Sequence, residues 1–314
     1  MANLIKIKQS ISSVRNTQQI TKAMEAVSAV KMRKSQQIAL GSRPYSVEVF
    51  QLLQNLKFTE INEHWLFQEI SSPNTGLLLV TSDKSLCGGY NSNVLKKAEN
   101  FLKDKDAEKI QAIAVGKKAI NFCQRRNLNL TAKFTDFGDF TEVQETSPLA
   151  KIIMNNFQKG EYQELWVSYT NFVSTMVQEA VIRKILPIDL NFIQEIIKGI
   201  LPKTGKYSQP ESVDSENNSI DEKFSDKLNH NYLFEPSSSE ILDSLIPVLF
   251  QTAIHHIILE SNASEHSARR VAMKNASDNA EKFLKELTLT YNKARQAAIT
   301  TEITEIISGK EAMS

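Results

Sequence analysis

The sequence predicts an α/β protein whose first and last segments are long helices that pair with each other, with a central Rossmann-like α/β domain set between them. Three observations carry this. No glycine or proline occurs between Met1 and Leu40, none occurs between Val248 and Ser308, and the segment between alternates strand-like with helix-like runs. Glycine and proline are the residues that most reliably interrupt regular structure, so long stretches without them are candidates for unbroken helix.

The N-terminal helix, within a coiled-coil segment 1–58, places apolar residues at Leu4, Ile7, Ile11 and Val14. Its pattern then slips near Asn16 and Thr17 and resumes at Ile20, Met24, Val27 and the stem of Lys31. That reads as a helix with an imperfect seam. Gly41 and Pro44 permit a bend, after which Val47, Phe50 and Leu53 continue the pattern.

A central domain, 75–190, follows. Gly76 to Ser82 reads as a buried strand, Asn91 to Lys103 as a helix, Lys109 to Val115 as a strand and Lys117 to Arg126 as a helix. Leu128 to Phe134 is a third strand, Glu142 to Gln158 a third helix, and Leu165 to Phe172 and Val177 to Leu186 two closing strands. Such alternation predicts a mostly parallel sheet covered on both faces. Residues 203–232 are polar and poor in aromatics, around the run Asp214-Ser-Glu-Asn-Asn-Ser219, and read as a flexible insertion.

The C-terminal helix, 238–309, opens with Ser237 and Glu240 spaced as a capping box, with Pro247 in its first turns. The stretch from Val248 to Ser308 is roughly sixty residues, or about 90 Å of helix, too long for one globular domain to bury. A 3–4 repeat runs through Met273, Ala276, Ala280, Phe283, Leu287, Thr290, Ala294, Ala297 and Thr301. A seam this rich in small residues lets two helices approach closely but buries little apolar area.

Composition excludes several function classes. The 314 residues are 41% hydrophobic and 23% charged, with formal net charge +1, which gives no electrostatic footprint for nucleic acid. The charge is concentrated, however. Lys6, Lys8, Arg15, Lys22, Lys31, Arg33 and Lys34 face the single acid Glu25 within the first 34 residues. This suits either an acidic partner or a solvated helix face. The apolar run Leu245 to Leu259 is broken by Pro247, Gln251, Thr252, His255 and His256 and is shorter than the roughly 20 residues that span a bilayer. Without a signal sequence or transit peptide in view, a soluble chain is expected, reaching a membrane only through a partner.

Catalytic patterns are weak. The turn Asp83-Lys-Ser-Leu-Cys-Gly-Gly-Tyr90 follows a strand and precedes a helix, where phosphates often bind, yet it matches neither dinucleotide fingerprint nor Walker loop. Its glycines equally suit a tight turn. Cys87 reads as a thiol activated by a helix N-terminus or as a small buried residue, and no histidine lies near it in sequence. Cys87 and Cys123 do not form a zinc or disulfide framework. Adjacent His255 and His256 point to different helix faces, His266 lacks a ligand cluster, and Glu60, Glu63 and His64 lack metalloprotease spacing. No catalytic residues, cofactor or metal are expected.

Three stretches carry a resemblance. Ile5-Lys-Ile-Lys-Gln-Ser-Ile-Ser-Ser-Val-Arg-Asn-Thr-Gln-Gln-Ile-Thr-Lys-Ala-Met-Glu25, continuing to Lys31-Met-Arg-Lys34, resembles the N-terminal helix of the gamma subunit of F-type ATP synthases. Thr81-Ser-Asp-Lys-Ser-Leu-Cys-Gly-Gly-Tyr-Asn91 is similar to that family's central turn. The closing stretches Ala263-Ser-Glu-His-Ser-Ala-Arg-Arg-Val-Ala-Met-Lys274, Tyr291-Asn-Lys-Ala-Arg-Gln-Ala-Ala-Ile-Thr300 and Glu302-Ile-Thr-Glu-Ile-Ile-Ser-Gly309 resemble it most closely. The resemblance implies that the N- and C-terminal helices form a long antiparallel coiled coil, the shaft of a central-stalk rotor that couples proton flow through a membrane rotor ring to ATP synthesis. Its partners would be a ring of alpha and beta subunits, an epsilon subunit and the membrane rotor ring, at the cytoplasmic face of a bacterial inner membrane. It also implies beta-subunit contacts by Arg269, Gln296, Thr300 and Glu305, with Met24, among Lys22, Lys31, Arg33 and Lys34, facing an acidic helix–turn–helix of beta. Two departures stand out: the polar stretch 203–230 is longer than usual, and the dithiol insertion of chloroplast members is missing. A static coiled-coil adapter and a nucleotide-using α/β enzyme are the competing readings.

Overall fold

The computed structural model describes residues 2–41, 64–138, 141–188 and 238–311. Within these, the chain runs α1 (Ala2–Gly41), β1 (Thr75–Val80), α2 (Tyr90–Leu102), β2 (Ile110–Val115), α3 (Lys117–Arg125), β3 (Asn129–Phe134), α4 (Val143–Gln158), β4 (Glu164–Phe172), β5 (Gln178–Leu186) and α5 (Ser238–Glu311). Each central element lies within about two residues of its sequence expectation. The continuation at Val47–Leu53, the insertion 203–232 and the capping residue Ser237 lie outside the described residues.

The chain divides into two compact units, one of residues 1–29 with 269–314 and one of residues 30–268. The second unit is built on a five-stranded sheet in the order β3-β2-β1-β4-β5. β1 runs parallel to both β2 and β4, β2 runs parallel to β3, and β5 returns antiparallel to β4. The mostly parallel sheet expected from sequence is therefore present, with one antiparallel edge strand.

Alternation along the strands divides the core into two. Leu78, Val80, Ile113, Val115, Val167 and Tyr169 face α4 and the first part of α5, through Leu149, Ile153, Phe157, Leu242, Ile246, Phe250, Ile254, Ile257 and Ile258. Leu77, Leu79, Ala112 and Ala114 face the other way, towards Ala98 of α2 and Ala119 and Cys123 of α3. A central parallel strand buried on both faces must be apolar throughout, which is why β1 reads as an uninterrupted apolar run.

Within this unit α5 is part of the core. Ser264 Oγ donates to Thr170 O and Ser267 Oγ to Thr175 O, while Gln178 Nε2 donates to Ser267 Oγ. By length and hydropathy a segment of Glu240–Lys310 would suffice to cross a membrane. Its apolar residues, Leu242 to Ile258, are those packed against the sheet.

Gly116 joins β2 to α3 at φ +89, and a Cβ there would overlap the Thr81 carbonyl. Its amide donates to Phe134 O at 2.8 Å, and Thr81 Oγ1 receives the Ala119 amide at 2.8 Å. This junction ties together the carboxyl ends of β1, β2 and β3.

Candidate partner-contact surface

The unit formed by the two chain ends is defined by its buried stripes. Along α1 the least exposed residues are Leu4, Ile7, Ile11, Val14, Gln18, Thr21, Glu25 and Ser28, and in the second unit Met32 and Ser35 continue the pattern. The steps alternate three and four residues without a slip. Along α5 the matching stripe is Met273, Ser277, Ala280, Leu284, Leu287, Tyr291, Ala294 and Ala298. Both are heptad seams.

The sequence reading is corrected here. The N-terminal seam does not change phase at Asn16; it passes through polar residues, and Ile20 and Val27 point outward at 59% and 53% exposure. On α5, Phe283 (58% exposed), Thr290, Ala297 and Thr301 lie outside the seam, which takes Leu284, Tyr291 and Ala298 instead.

The bounds of the unit, at residues 29 and 269, and one electrostatic influence further along together set the direction of pairing. The Glu281 carboxyl is held below its usual range first by the hydrogen bond from Lys285, at 2.9 Å, and its charge, and further by Lys22 on the other helix. A unit that contains residues 1–29 and 269–314 and brings Lys22 beside Glu281 is an antiparallel pair. In that arrangement residues close to 302 lie level with the chain start. Accordingly the C-terminal seam ends at Ala298, and every residue from Ile299 to Lys310 is exposed, including Ile299, Ile303, Ile306 and Ile307.

The candidate contact residues fall at distinct places. Lys22 is exposed on the flank beside the seam and Met24 is half-buried. Arg269 is buried and engaged in polar contact. Gln296 and Thr300 are exposed one turn apart on the outward side, and Thr300 Oγ1 donates to the Gln296 carbonyl at 3.0 Å. Glu305 is exposed on the terminal segment. Nine residues from Gln296, it stands about 180° around the helix, so these two do not share a face. Lys31 (half-buried) and Arg33 (exposed) belong to the second unit. The structure thus brings Gln296 and Thr300 together and distributes the others.

What sequence reasoning missed is the outward apolar set Ile20, Val27, Val30 and Phe283. The signal was present, since these residues form a second apolar phase beside the small and polar seam. Leu86 is another. It is 60% exposed and held at φ +66, a conformation bulky side chains rarely adopt.

The turn after β1 is closed by its own side chains. Asp83 accepts the Lys117 amide at the start of α3 through Oδ1 and the Asp136 amide through Oδ2, both at 2.9 Å. Asn91 Oδ1 accepts the Ser82 amide at 3.0 Å, and Asn91 Nδ2 donates to Ser82 Oγ at 2.7 Å. A carboxylate therefore caps the N-terminus of α3, while at the start of α2, the helix that the glycine turn leads into, Asn91 is turned back onto Ser82. Cys87 is buried, and Asn91 Nδ2 lies 3.2 Å from its sulfur. Burial pushes the Cys123 thiol up to about 11. Among the described residues no group of three His, Cys, Asp or Glu side chains is placed to hold a metal.

Comparison with known proteins bears on the whole chain. A protein-family model described as ATP synthase matches residues 3–313. The chain is 35% identical to an ATP synthase gamma chain of Dehalococcoides mccartyi strain BAV1 over 317 residues, covering 100% of both sequences. It is 37% identical to that of Aromatoleum aromaticum over 320 residues, again covering 100% of both. In fold it is similar to a chain of the Euglena gracilis mitochondrial ATP synthase OSCP/F1/c-ring structure, with a TM-score of 0.62, 18% identity, and 99% of this chain and 95% of that one covered. A chain of the Tetrahymena thermophila mitochondrial central stalk and c-ring structure gives a TM-score of 0.57 at 20% identity, covering 82% and 99%.

Proposed function

Because the chain belongs to the ATP synthase gamma-chain family, we propose that it is the central-stalk rotor of an F-type ATP synthase, transmitting torque between a membrane rotor ring and a catalytic ring of alpha and beta subunits. The observation that carries this reading is the antiparallel helix pair. It directs Ile20, Val27 and Phe283 outward and ends in a terminal segment exposed on all sides with four isoleucines. Apolar groups in these positions contribute nothing to the chain's own core and are suited to a surrounding partner.

A rotor must bias otherwise equivalent sites differently at each angle, and only a difference in contact energy shifts such equilibria. The pair is suited to this because its faces differ. Lys8, Arg15 and Lys22 recur every seven residues on one flank of α1, all exposed, whereas Ile20 and Val27 occupy another face. We assign Arg269, Gln296, Thr300 and Glu305 to contacts with beta-subunit loops. Met24, Lys22, Lys31 and Arg33 are assigned to contacts with an acidic helix–turn–helix of beta. Through epsilon and the rotor ring the chain would sit peripherally at the cytoplasmic face of the membrane, with no catalytic site of its own.

Reconstitution tests the reading. Mixed with alpha and beta subunits, the chain should enter at one copy per three pairs and stimulate ATP hydrolysis; binding without stimulation identifies a static adapter instead. Within the assembled complex, Arg269→Ala and Gln296→Ala should each alter hydrolysis or coupling. Unchanged rates and coupling in both would remove the assigned contacts.

A further inference from the structure

α2 and α3 cover one face of the sheet, and their outward surface is strongly basic on a chain whose net charge is only +1. On α2 the buried residues Tyr90, Val94 and Ala98 face inward, so Lys96, Lys97 and Lys103 stand exposed on the outside. On α3, Ala119 and Cys123 face the strands, and Lys117, Arg125 and Arg126 are exposed. Within Tyr90–Lys103 and Lys117–Arg126 the only acid is Glu99, and it is already bonded to Arg126 across the two helices.

The neighbouring acids are taken. Lys117 meets Asp136 at 3.5 Å, and beyond α2 Asp106 is held by Lys109 at 3.0 Å. Lys96, Lys97, Lys103 and Arg125 make no ion pair among the described residues. Cations crowded on one face repel each other and raise the local concentration of any anion that can reach them. The other acid-poor surface, the flank of Lys8, Arg15 and Lys22 on α1, spaces its charges a full heptad apart in a single row. On α2 and α3 the charges lie in two rows, with Lys96 beside Lys97 and Arg125 beside Arg126, so the potential is more concentrated there.

The same chain contains a counterpart. From Tyr207 to Glu222 it carries Glu211, Asp214, Glu216, Asp221 and Glu222, with no lysine or arginine among them. These residues lie outside the described ones, in the stretch between Ile188 and Ser238. Ile188 follows β5, and α2 packs over β4 and β5 through Phe101, Trp166 and Ile182, with the Phe101 and Trp166 rings 5.2 Å apart. The basic face therefore adjoins the strand from which the acidic segment departs. Twenty-three residues lead from Ile188 to Glu211, and sixteen from Glu222 to Ser238. Extended, they span about 75 Å and about 50 Å, against a five-stranded sheet about 20 Å wide. Reach sets no limit.

We propose that the outer face of α2 and α3 is the docking surface for the chain's own acidic segment 211–222, held there by charge. The carboxylates of the segment meet Lys96, Lys97, Lys103 and Arg125. Each contact is an exposed ion pair and weak by itself, so the docking rests on their number and is sensitive to salt. The inference concerns a face that the rotor reading does not use, and it does not depend on that reading.

Zero-length crosslinking of the full chain with a water-soluble carbodiimide, read by mass spectrometry, tests it. The reagent joins a carboxylate to a lysine amine only where the two touch. Links from 211–222 should fall on Lys96, Lys97, Lys103 and Lys117 about tenfold more often than on Lys133 and Lys159, exposed lysines of the same unit. In about 1 M salt, where the screening length is about 3 Å, that preference should vanish. The double change Lys96→Glu and Lys97→Glu should lower the yield at Lys103 and Lys117 by about tenfold. Even yields over all exposed lysines, a preference for Lys8 or Lys22 of α1, or a yield at Lys103 unmoved by the charge reversal would each overturn the proposal. So would links joining light to heavy chains in a mixture of unlabelled and nitrogen-15-labelled protein, which would assign the face to a second copy.

Discussion

At the scale of single residues, the informative positions are those where an ordinary side chain would fail. Gly116 is one: positive φ and the Thr81 carbonyl leave no room for a Cβ. Gly116→Ala should destabilise the α/β unit by about 2 kcal/mol or more, read as a lower urea midpoint. His255 is another. Its folded value is depressed to about 4 from 6.5, so the neutral form belongs to the folded state. Stability is full above pH 6.5 and falls as pH drops towards 4, by about 3 kcal/mol in all. His255→Gln should flatten that part of the denaturation profile. Sequence spacing located His255 and His256 on different faces but not their burial, because a histidine looks the same to a pattern whether its helix faces solvent or a sheet. Asp83 was equally hidden. Its two backbone partners are Lys117 and Asp136, and only the β1–α3 juxtaposition brings them together.

At the scale of elements, the central α/β alternation was legible to within a residue or two. Strand and helix periods differ, and Gly116 and the Gly88-Gly89 pair mark the junctions. The helix seams were not. Reading apolar residues as interior placed Ile20, Val27 and Phe283 in the seam, whereas Gln18, Thr21, Glu25 and Ser28 occupy it. Periodicity finds the apolar stripe; it does not say which of two stripes faces the sister helix. A seam with Gln18 and Thr21 on one side and Ser277 and Ala280 on the other buries less apolar surface than Leu and Ile would. Gln18→Leu should therefore raise the thermal midpoint of the free chain, by a stabilisation of about 1 kcal/mol, measured by circular dichroism at 222 nm. No change, or a decrease, would mean that Gln18 makes a contact worth more than the burial gained.

At the scale of the whole chain, α1 and α5 both run through the two units, and α5 divides its labour between them. In the sheet unit, α5 supplies core residues from Leu242 to Ile258. In the other it supplies a seam up to Ala298 and then a segment exposed throughout. Ending the chain after Ala298 should leave the melting of the free protein nearly unchanged, since residues 299–310 are all exposed. The same truncation should weaken coupling in an assembled complex. A large loss of stability in the isolated truncated chain would show that the terminal segment serves the chain's own fold.

The unbroken three–four spacing of both seams has a mechanical consequence. Right-handed helices packed on a strict seven-residue repeat wind about each other in a left-handed sense. A left-handed rope does not respond equally to opposite torques: one direction of twist draws the strands together, and the other parts them. With Glu25, Ser28 and Ser277 near one end of the seam and Ile11, Val14, Leu287 and Tyr291 further along, parting would begin at the polar end. The chain therefore carries a mechanical handedness in its amino-acid sequence, independent of any partner that turns it.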